Sequence, residues 1–257
     1  DYVGGEFENG PLTQLQAEPG DLYSYFQTGI LPSLELIRDD LKLELGAKIV
    51  LGLDTENSQT DFYIYPSVNA SYVLSEDMLV AYGGVEGGLI QNSYYDFTNQ
   101  NPFISPTLMV MPTDRQYEAY LGIRGQLLPQ LSYNLKGTYR AENFSPLFLL
   151  NPVNEFRSDD KSYMYGNSFR VFYDDVKTLG IFAELELSVN RNFTLGVNTS
   201  INDYSTETGN PAWNLPNLEG SLFMDYQIGS QWYFGASLVY VGDREDLVVT
   251  AQGDNWA

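Results

Sequence analysis

Neither cysteine nor histidine occurs among the 257 residues. Without cysteine there is no disulfide framework and no thiolate metal site, although the compartment is left undetermined. Without either residue the Ser-His-Asp and Cys-His nucleophile arrangements and most zinc sites are excluded. Long apolar runs are missing as well. Nowhere do roughly 18 apolar residues follow one another, as a membrane-spanning helix requires, and the mean hydropathy is only −0.24. A bundle of transmembrane helices is therefore excluded. A membrane-spanning sheet is not, because its strands alternate apolar and polar residues and average out as moderately polar. Basic residues are few: 13 Lys and Arg stand against 34 Asp and Glu, a net charge of −21. Such a chain repels nucleic-acid phosphates, and its scattered cations form no basic patch, so no nucleic-acid partner is expected. No basic segment followed by an apolar one opens at Asp1, so the chain is expected to be mature or internal.

What is abundant favours strands. Tyr, Phe and Gly number 20, 14 and 23, and only 18% of residues are charged. From Leu41 to Leu53 every second residue is apolar (Leu41, Leu43, Leu45, Ala47, Ile49, Leu51, Leu53), with Lys42, Glu44, Gly46, Lys48 and Gly52 between them. That is a strand with one greasy face. A tilted strand crosses a bilayer in about 9–11 residues, whereas globular strands are about half this segment's length.

The pattern recurs in segments around Phe62–Leu74, Leu79–Leu89, Tyr117–Leu127, Leu131–Glu142, Phe169–Ser188, Phe193–Asn202, Leu218–Tyr226 and Trp232–Tyr240. A weaker strand over Tyr23–Ile37 brings the number to roughly ten. Tight connections at Arg38–Asp40, Ser75–Asp77, Leu128–Gln130, Val189–Asn192 and Ile228–Gln231 alternate with longer ones at Asp54–Asp61, Gln91–Arg115, Asn143–Asn167, Asp203–Ala212 and from Asp243 onward. This is hairpin logic with short turns at one end and long loops at the other. It requires Phe169–Ser188 to be one long strand without a turn at Asp174 and Asp175.

The pattern predicts an all-β, antiparallel up-and-down transmembrane β-barrel in the bacterial outer membrane. It spans residues 1–257 as a single domain, with 1–20 an irregular lead-in and 243–257 an external loop. Outward aromatics near strand ends (Tyr72, Tyr133, Phe193, Tyr226 and Trp232 beside tight turns, Tyr117 and Tyr240 toward the long loops) suit two girdles at the headgroup layers. A soluble β-sandwich would pack the same aromatics inside, but the charged opposite faces leave it no second apolar layer.

The polar parity supplies the candidate lumen residues Glu86, Glu118, Arg124, Lys136, Arg140, Glu142, Glu184 and Glu186. Glu184 with Glu186, or Asp174 with Asp175, could form an acid and base pair. Pairing of Glu184 and Glu186 with Arg124, Lys136 or Arg140 across neighbouring strands is the plainer reading, so no enzyme is expected. The acidity suits either a solvated surface or external loops that hold divalent cations. Asp159 and Asp160 lack the regular spacing of a dedicated calcium site, and neither a metal nor a cofactor is assigned. Gly83, Gly84, Gly87 and Gly88 sit inside an alternating strand with no following Lys-Ser or Lys-Thr, so they mark a bend or close packing rather than a phosphate cradle. Phe103, Ile104, Met109 and Met111 in one loop, and Leu147, Phe148 and Leu149 in another, are costly in water. They are expected to pack on each other, to dock a partner chain, or to cover a substrate.

Tyr173-Asp174-Asp175-Val176 opening a long strand, Trp213-Asn214-Leu215-Pro216-Asn217 after an external loop, and Tyr240-Val241-Gly242-Asp243-Arg244 ending a strand carry a likeness over about Tyr63–Arg244. With the Pro-rich apolar loops, they resemble the TonB-dependent-receptor-like outer-membrane barrels of Bacteroidetes. That resemblance implies uptake of a small nutrient through a polar lumen under energy supplied from the periplasm. It also implies a periplasmic plug, an energy-coupling box and a closing aromatic strand, which do not appear here, so the chain is expected to be part of a larger barrel. Two other readings stay open: a non-transporting structural subunit that docks outer-membrane or periplasmic proteins through its apolar loops, and a soluble secreted β-protein.

Overall fold

The computed structural model describes residues 1–6, 9–13, 16–19, 22–75, 78–106, 108–151, 168–250 and 253–256, with side chains described for 1–6, 22–75, 78–106, 108–151 and 168–247. Its strands are β1 (Tyr2–Glu6), β2 (Asn9–Thr13), β3 (Gln16–Pro19), β4 (Leu22–Ile30), β5 (Ser33–Arg38), β6 (Leu41–Asp54), β7 (Gln59–Ser75) and β8 (Leu79–Ile90), followed by helix α1 (Tyr94–Gln100). After the helix come β9 (Thr113–Leu128), β10 (Leu131–Leu150), β11 (Phe169–Asn190), β12 (Phe193–Thr206), β13 (Leu218–Ile228), β14 (Trp232–Val241), β15 (Leu247–Thr250) and β16 (Gly253–Trp256). Twelve strands form one antiparallel sheet in the order β1-β4-β6-β7-β8-β9-β10-β11-β12-β13-β14, with β5 beside β6. Hairpins β2-β3 and β15-β16 lie apart from it. Among the described residues the sheet does not close on itself: β1 and β14 are its edges. Among the described residues no helix is long and apolar enough to cross a membrane.

Register turns the alternation into two faces, since directly opposed residues of an antiparallel pair share a face. One row runs Leu43, Ala70, Gly83, Leu121, Gly137, Ile181, Ile201, Leu218 across eight strands. Its neighbour on the other face runs Lys42, Ser71, Tyr82, Gly122, Lys136, Phe182, Ser200, Glu219. The apolar face is left open, with Leu121 73% exposed and Ile64 65%. A contiguous surface of this kind far exceeds the apolar patches of soluble monomers. The buried residues lie elsewhere, around the loops at one end of the sheet and around Val50, Tyr65 and Leu89.

The single long strand expected over Phe169–Ser188 is present as β11, with no turn at Asp174 or Asp175. Other boundaries differ from expectation. The run Tyr23–Ile37 is β4 and β5, both on β6 in one unbroken register, separated at Leu31 and Pro32 because proline has no N–H for the ladder. Tyr2–Glu6, in the expected irregular lead-in, pairs with Leu22–Phe26, and Leu247–Thr250 pairs with Gly253–Trp256 in the expected external loop. The connection at Asp54–Asp61 shrinks to four residues, where the Asp54 carboxylate accepts from the backbone N–H groups of Glu56 and Asn57 at 3.1 and 3.0 Å. The segment Pro146–Leu150, expected in a loop, belongs to β10. Glu76 and Asp77 of one tight turn, and Asp159 and Asp160, lie outside the described residues.

Two β-bulges set where the sheet changes character. β9 carries one residue more than its partners between Arg115 and Tyr117, and β10 one more than β11 between Glu142 and Ser145. Bulges of this kind bend a strand and re-aim its side chains. Here the second shifts Leu147 and Leu149 onto the face of Glu142 and Val176, and Phe148 onto the opposite one.

Candidate functional site

The polar face just below the bulges holds a network of four charges. Register places Arg140 opposite Glu118, and Glu142 opposite Arg115. Arg115 Nε lies 2.8 Å from Glu142 Oε1, and Arg115 Nη1 lies 3.7 Å from Glu118 Oε2. Arg140 Nη1 is 3.8 Å from Glu142, and Arg140 Nε is 3.3 Å from Glu118 without the alignment of a hydrogen bond. Two guanidinium groups thus alternate with two carboxylates across two strands, and the side chain of Glu142 is only 10% exposed.

The other expected lumen residues sit on the same face but not in this network. Asn134 stands between Arg124 and Glu184 in register, so those two do not meet; Arg124 instead lies over the Tyr82 ring, 5.4 Å from its centroid. Lys136 lies between Gly122 and Phe182, its ammonium 5.9 Å from the Phe182 centroid. Among the described residues Glu184 and Glu186 form no ion pair, so their expected pairing with Arg124, Lys136 or Arg140 is not what the register delivers. Glu86 is directly opposite Glu118. Tyrosines tie the face together: Tyr82 donates to Asn134 at 2.5 Å, Tyr120 to Asn69, and Tyr65 to Asp114 at 2.8 Å. Gly122 admits the Tyr82 ring across it, where a methyl group would collide with the ring.

Above the bulges the loops form an apolar cap on both sides of the β10-β11 tip. On one side Phe148 packs with Phe97 of α1, Ile104, Leu108 and Val110, joined by Phe169, Val171, Tyr173 and Tyr23. The Phe97 and Phe148 rings meet edge to face at 5.9 Å. Helix α1 starts where Ser93 accepts from the Asp96 N–H at 3.1 Å. Tyr173 donates to the Met109 carbonyl at 3.1 Å and accepts from the Met111 N–H at 3.0 Å, and burial pushes its hydroxyl above the ordinary tyrosine range. On the other side Leu147 and Leu149 pack with Val176 and Trp213, flanked by Phe172, Tyr204, Leu215 and Leu247. Asn214, at φ 59, donates through its side chain to the Phe148 carbonyl at 2.7 Å, and Asp246 accepts from the Leu150 N–H at 3.1 Å. Three loops are thereby pinned to one hairpin.

Ile104, Leu147, Phe148 and Leu149 are buried in this packing. Of the alternatives expected for these four, packing within the chain is the one seen here, each having apolar neighbours in the cap. Phe103 and Met109 remain 67% and 45% exposed, and Met111 is half-buried. Sequence reasoning did not single out Arg115, placed at a loop end, nor the anchoring role of Trp213. Lys48 was visible only as one of the polar residues between the leucines of β6. No group of three or more carboxylates is arranged to hold a metal ion among the described residues.

No protein-family model and no curated protein matches the chain significantly. Solved structures do. The pyoverdine outer-membrane receptor FpvA from Pseudomonas aeruginosa, bound to pyoverdine, matches with a TM-score of 0.59 over 94% of this chain and 36% of its own, at 17% identity. The open sheet shares its fold with part of this outer-membrane receptor. The copper transporter OprC matches at TM-score 0.56 and 14% identity, covering 87% of this chain and 36% of that one. The FrpB iron transporter from Neisseria meningitidis matches at 0.55 and 12%, covering 88% and 34%. The chain therefore spans about a third of the length of these receptors and transporters.

Proposed function

We propose that this chain forms part of an outer-membrane barrel that takes up a small nutrient, as a TonB-dependent receptor does, with the charged face as its lumen and the two-sided loop cap over its outer mouth. One observation carries the reading: a sheet with an open apolar face, such as Leu121 and Ile181, backs a row of charges on the opposite face. A water-soluble sheet buries the first, while a bilayer solvates it. The neighbours by fold are receptors and transporters, and catalysis is no part of the proposal. Kinship with Bacteroidetes rests on the short motifs alone; the pyoverdine receptor and the FrpB transporter come from Pseudomonas and Neisseria. The structural-subunit reading is not favoured, because four of the apolar loop residues it needs for docking are packed within the cap.

The test is fractionation followed by uptake. The protein is expected in the detergent-extracted outer membrane, running anomalously on unheated gels, and cells carrying it should accumulate a limiting nutrient in a manner abolished by a protonophore. Recovery in the aqueous phase without detergent would overturn the proposal. Uptake unaffected by loss of the protonmotive force would overturn the energy-coupled part of it.

A further inference from the structure

On the upper part of the polar face Lys48, Arg115 and Arg140 stand against Glu86, Glu118 and Glu142, with Asp114 tied to Tyr65 and Asn143 beside them. Of the first six, four are joined in the network just described. The remaining two, Lys48 and Glu86, have opposite signs, and neither is in an ion pair among the described residues. Both nevertheless line one cavity of about 180 Å³, with Arg115, Glu118 and Tyr120. Opposite charges that share a cavity without closing on each other leave room for a dipole between them.

Two further observations locate it. Lys48 Nζ lies against Gly88, 3.0 Å from where a methyl group on that glycine would sit, which places the ammonium at the β8 wall of the cavity. Lys48 also lines an adjoining cavity of about 300 Å³ with Asp1, Gln27, Val50 and Leu89, and Gln27 Oε1 is a buried acceptor with no partner among the described residues. A buried acceptor without a donor is costly, and a ligand N–H satisfies it.

We propose that these adjoining cavities, with Lys48 in the wall of both, bind a small zwitterion of the amino-acid or short-peptide class. Its carboxylate meets Lys48 and its ammonium meets Glu86, and a ligand that extends past Lys48 brings an N–H to Gln27. A lone anion at Lys48 is repelled by Glu86 and Glu118, and a lone cation at Glu86 by Lys48 and Arg115. A dipole is favoured at both ends. The inference rests on reading the polar face as a lumen, and it goes further by naming a substrate class.

The experiment uses the whole barrel protein to which this chain belongs, in detergent micelles, with glycylglycine as the probe, measured by calorimetry. N-acetylglycine, which carries only the negative charge, and glycinamide, which carries only the positive one, serve as controls. Glycylglycine should bind, with each control weaker by about tenfold or more. Lys48→Met and Glu86→Gln should each weaken it comparably. The exchange Lys48→Glu with Glu86→Lys should restore what either single reversal loses, which a misfolded variant could not do. Equal binding of the controls, undiminished binding by the single variants, or failure of the exchange overturns the site. So does absence of binding by a chain that still shows the gel mobility of a folded barrel. Recovery of the chain in the aqueous phase instead overturns the lumen reading, and this site with it.

Discussion

The carboxylate of Glu142 is held between two guanidinium groups in a nearly closed position, with Arg115 at 2.8 Å and Arg140 at 3.8 Å. Removing a partner from a covered charge costs more than the pair itself contributes, because the survivor keeps its desolvation penalty. Arg115→Ala is expected to destabilise the fold by about 1–2 kcal/mol, a figure discounted from buried pairs because Arg115 is itself a third exposed. Adding Glu142→Gln should recover part of that loss, and denaturant titration of both single variants and the double variant measures the coupling.

Also at the residue scale, Glu207 in the loop after β12 has its carboxyl raised above the ordinary value of 4.5, first by a hydrogen bond with the Asp175 side chain and then by that group's charge. Asp175 in turn accepts from the N–H of Phe144, the bulge residue at φ 54. A carboxyl raised by folding contributes stability that is complete below its unfolded value and is lost as pH rises through its folded one. The 207–210 loop should therefore be better protected in mildly acidic than in neutral solution. Glu207→Gln, which keeps a donor at every pH, should flatten the difference. Hydrogen-exchange protection factors corrected for intrinsic rates are the measurement, and equal protection at both pH values would count against the contact.

At the scale of the element, the β10-β11 tip explains both what the sequence made legible and what it hid. Leu41–Leu53 was readable because one of its faces stays polar, giving a period of two. Pro146–Leu150 has no such period. Leu147 and Leu149 pack on Trp213 while Phe148 packs on Phe97, so both faces are apolar and the run resembles a greasy loop. A strand buried on both faces reads as a continuous apolar stretch. The charged residues were legible one at a time, but their pairing was not. Whether Arg124 meets Glu184 depends on Asn134 standing between them, and whether Glu142 meets Arg115 depends on an extra residue in β9. Register and bulges are set by neighbouring strands rather than by spacing along one strand. Leu147→Ala, at a site with no exposure, should cost about 2–5 kcal/mol. That loss should appear as faster exchange in the loops carrying Trp213 and Leu247, with the strands below Glu142 unchanged. Loosening of β6 and β7 to the same extent would show that the cap and the sheet are not separable units.

For the whole molecule the deciding quantity is the solvent of the apolar face. Leu121 lies mid-row, opposite Gly83 on one side and Gly137 on the other, and no neighbouring side chain shields it. If water covers this face, Leu121→Arg is a substitution at an exposed surface position and changes stability by no more than about 0.5 kcal/mol. If lipid covers it, a guanidinium enters hydrocarbon, and the cost is about 2–4 kcal/mol near the midplane of the bilayer. The two environments thus predict effects that differ several-fold at one residue. Refolding from denaturant into lipid vesicles, compared with Leu121→Ala as a control for lost apolar area, reads the difference. We expect the arginine variant to show the larger loss, and indistinguishable variants would mean that the apolar row does not face a membrane.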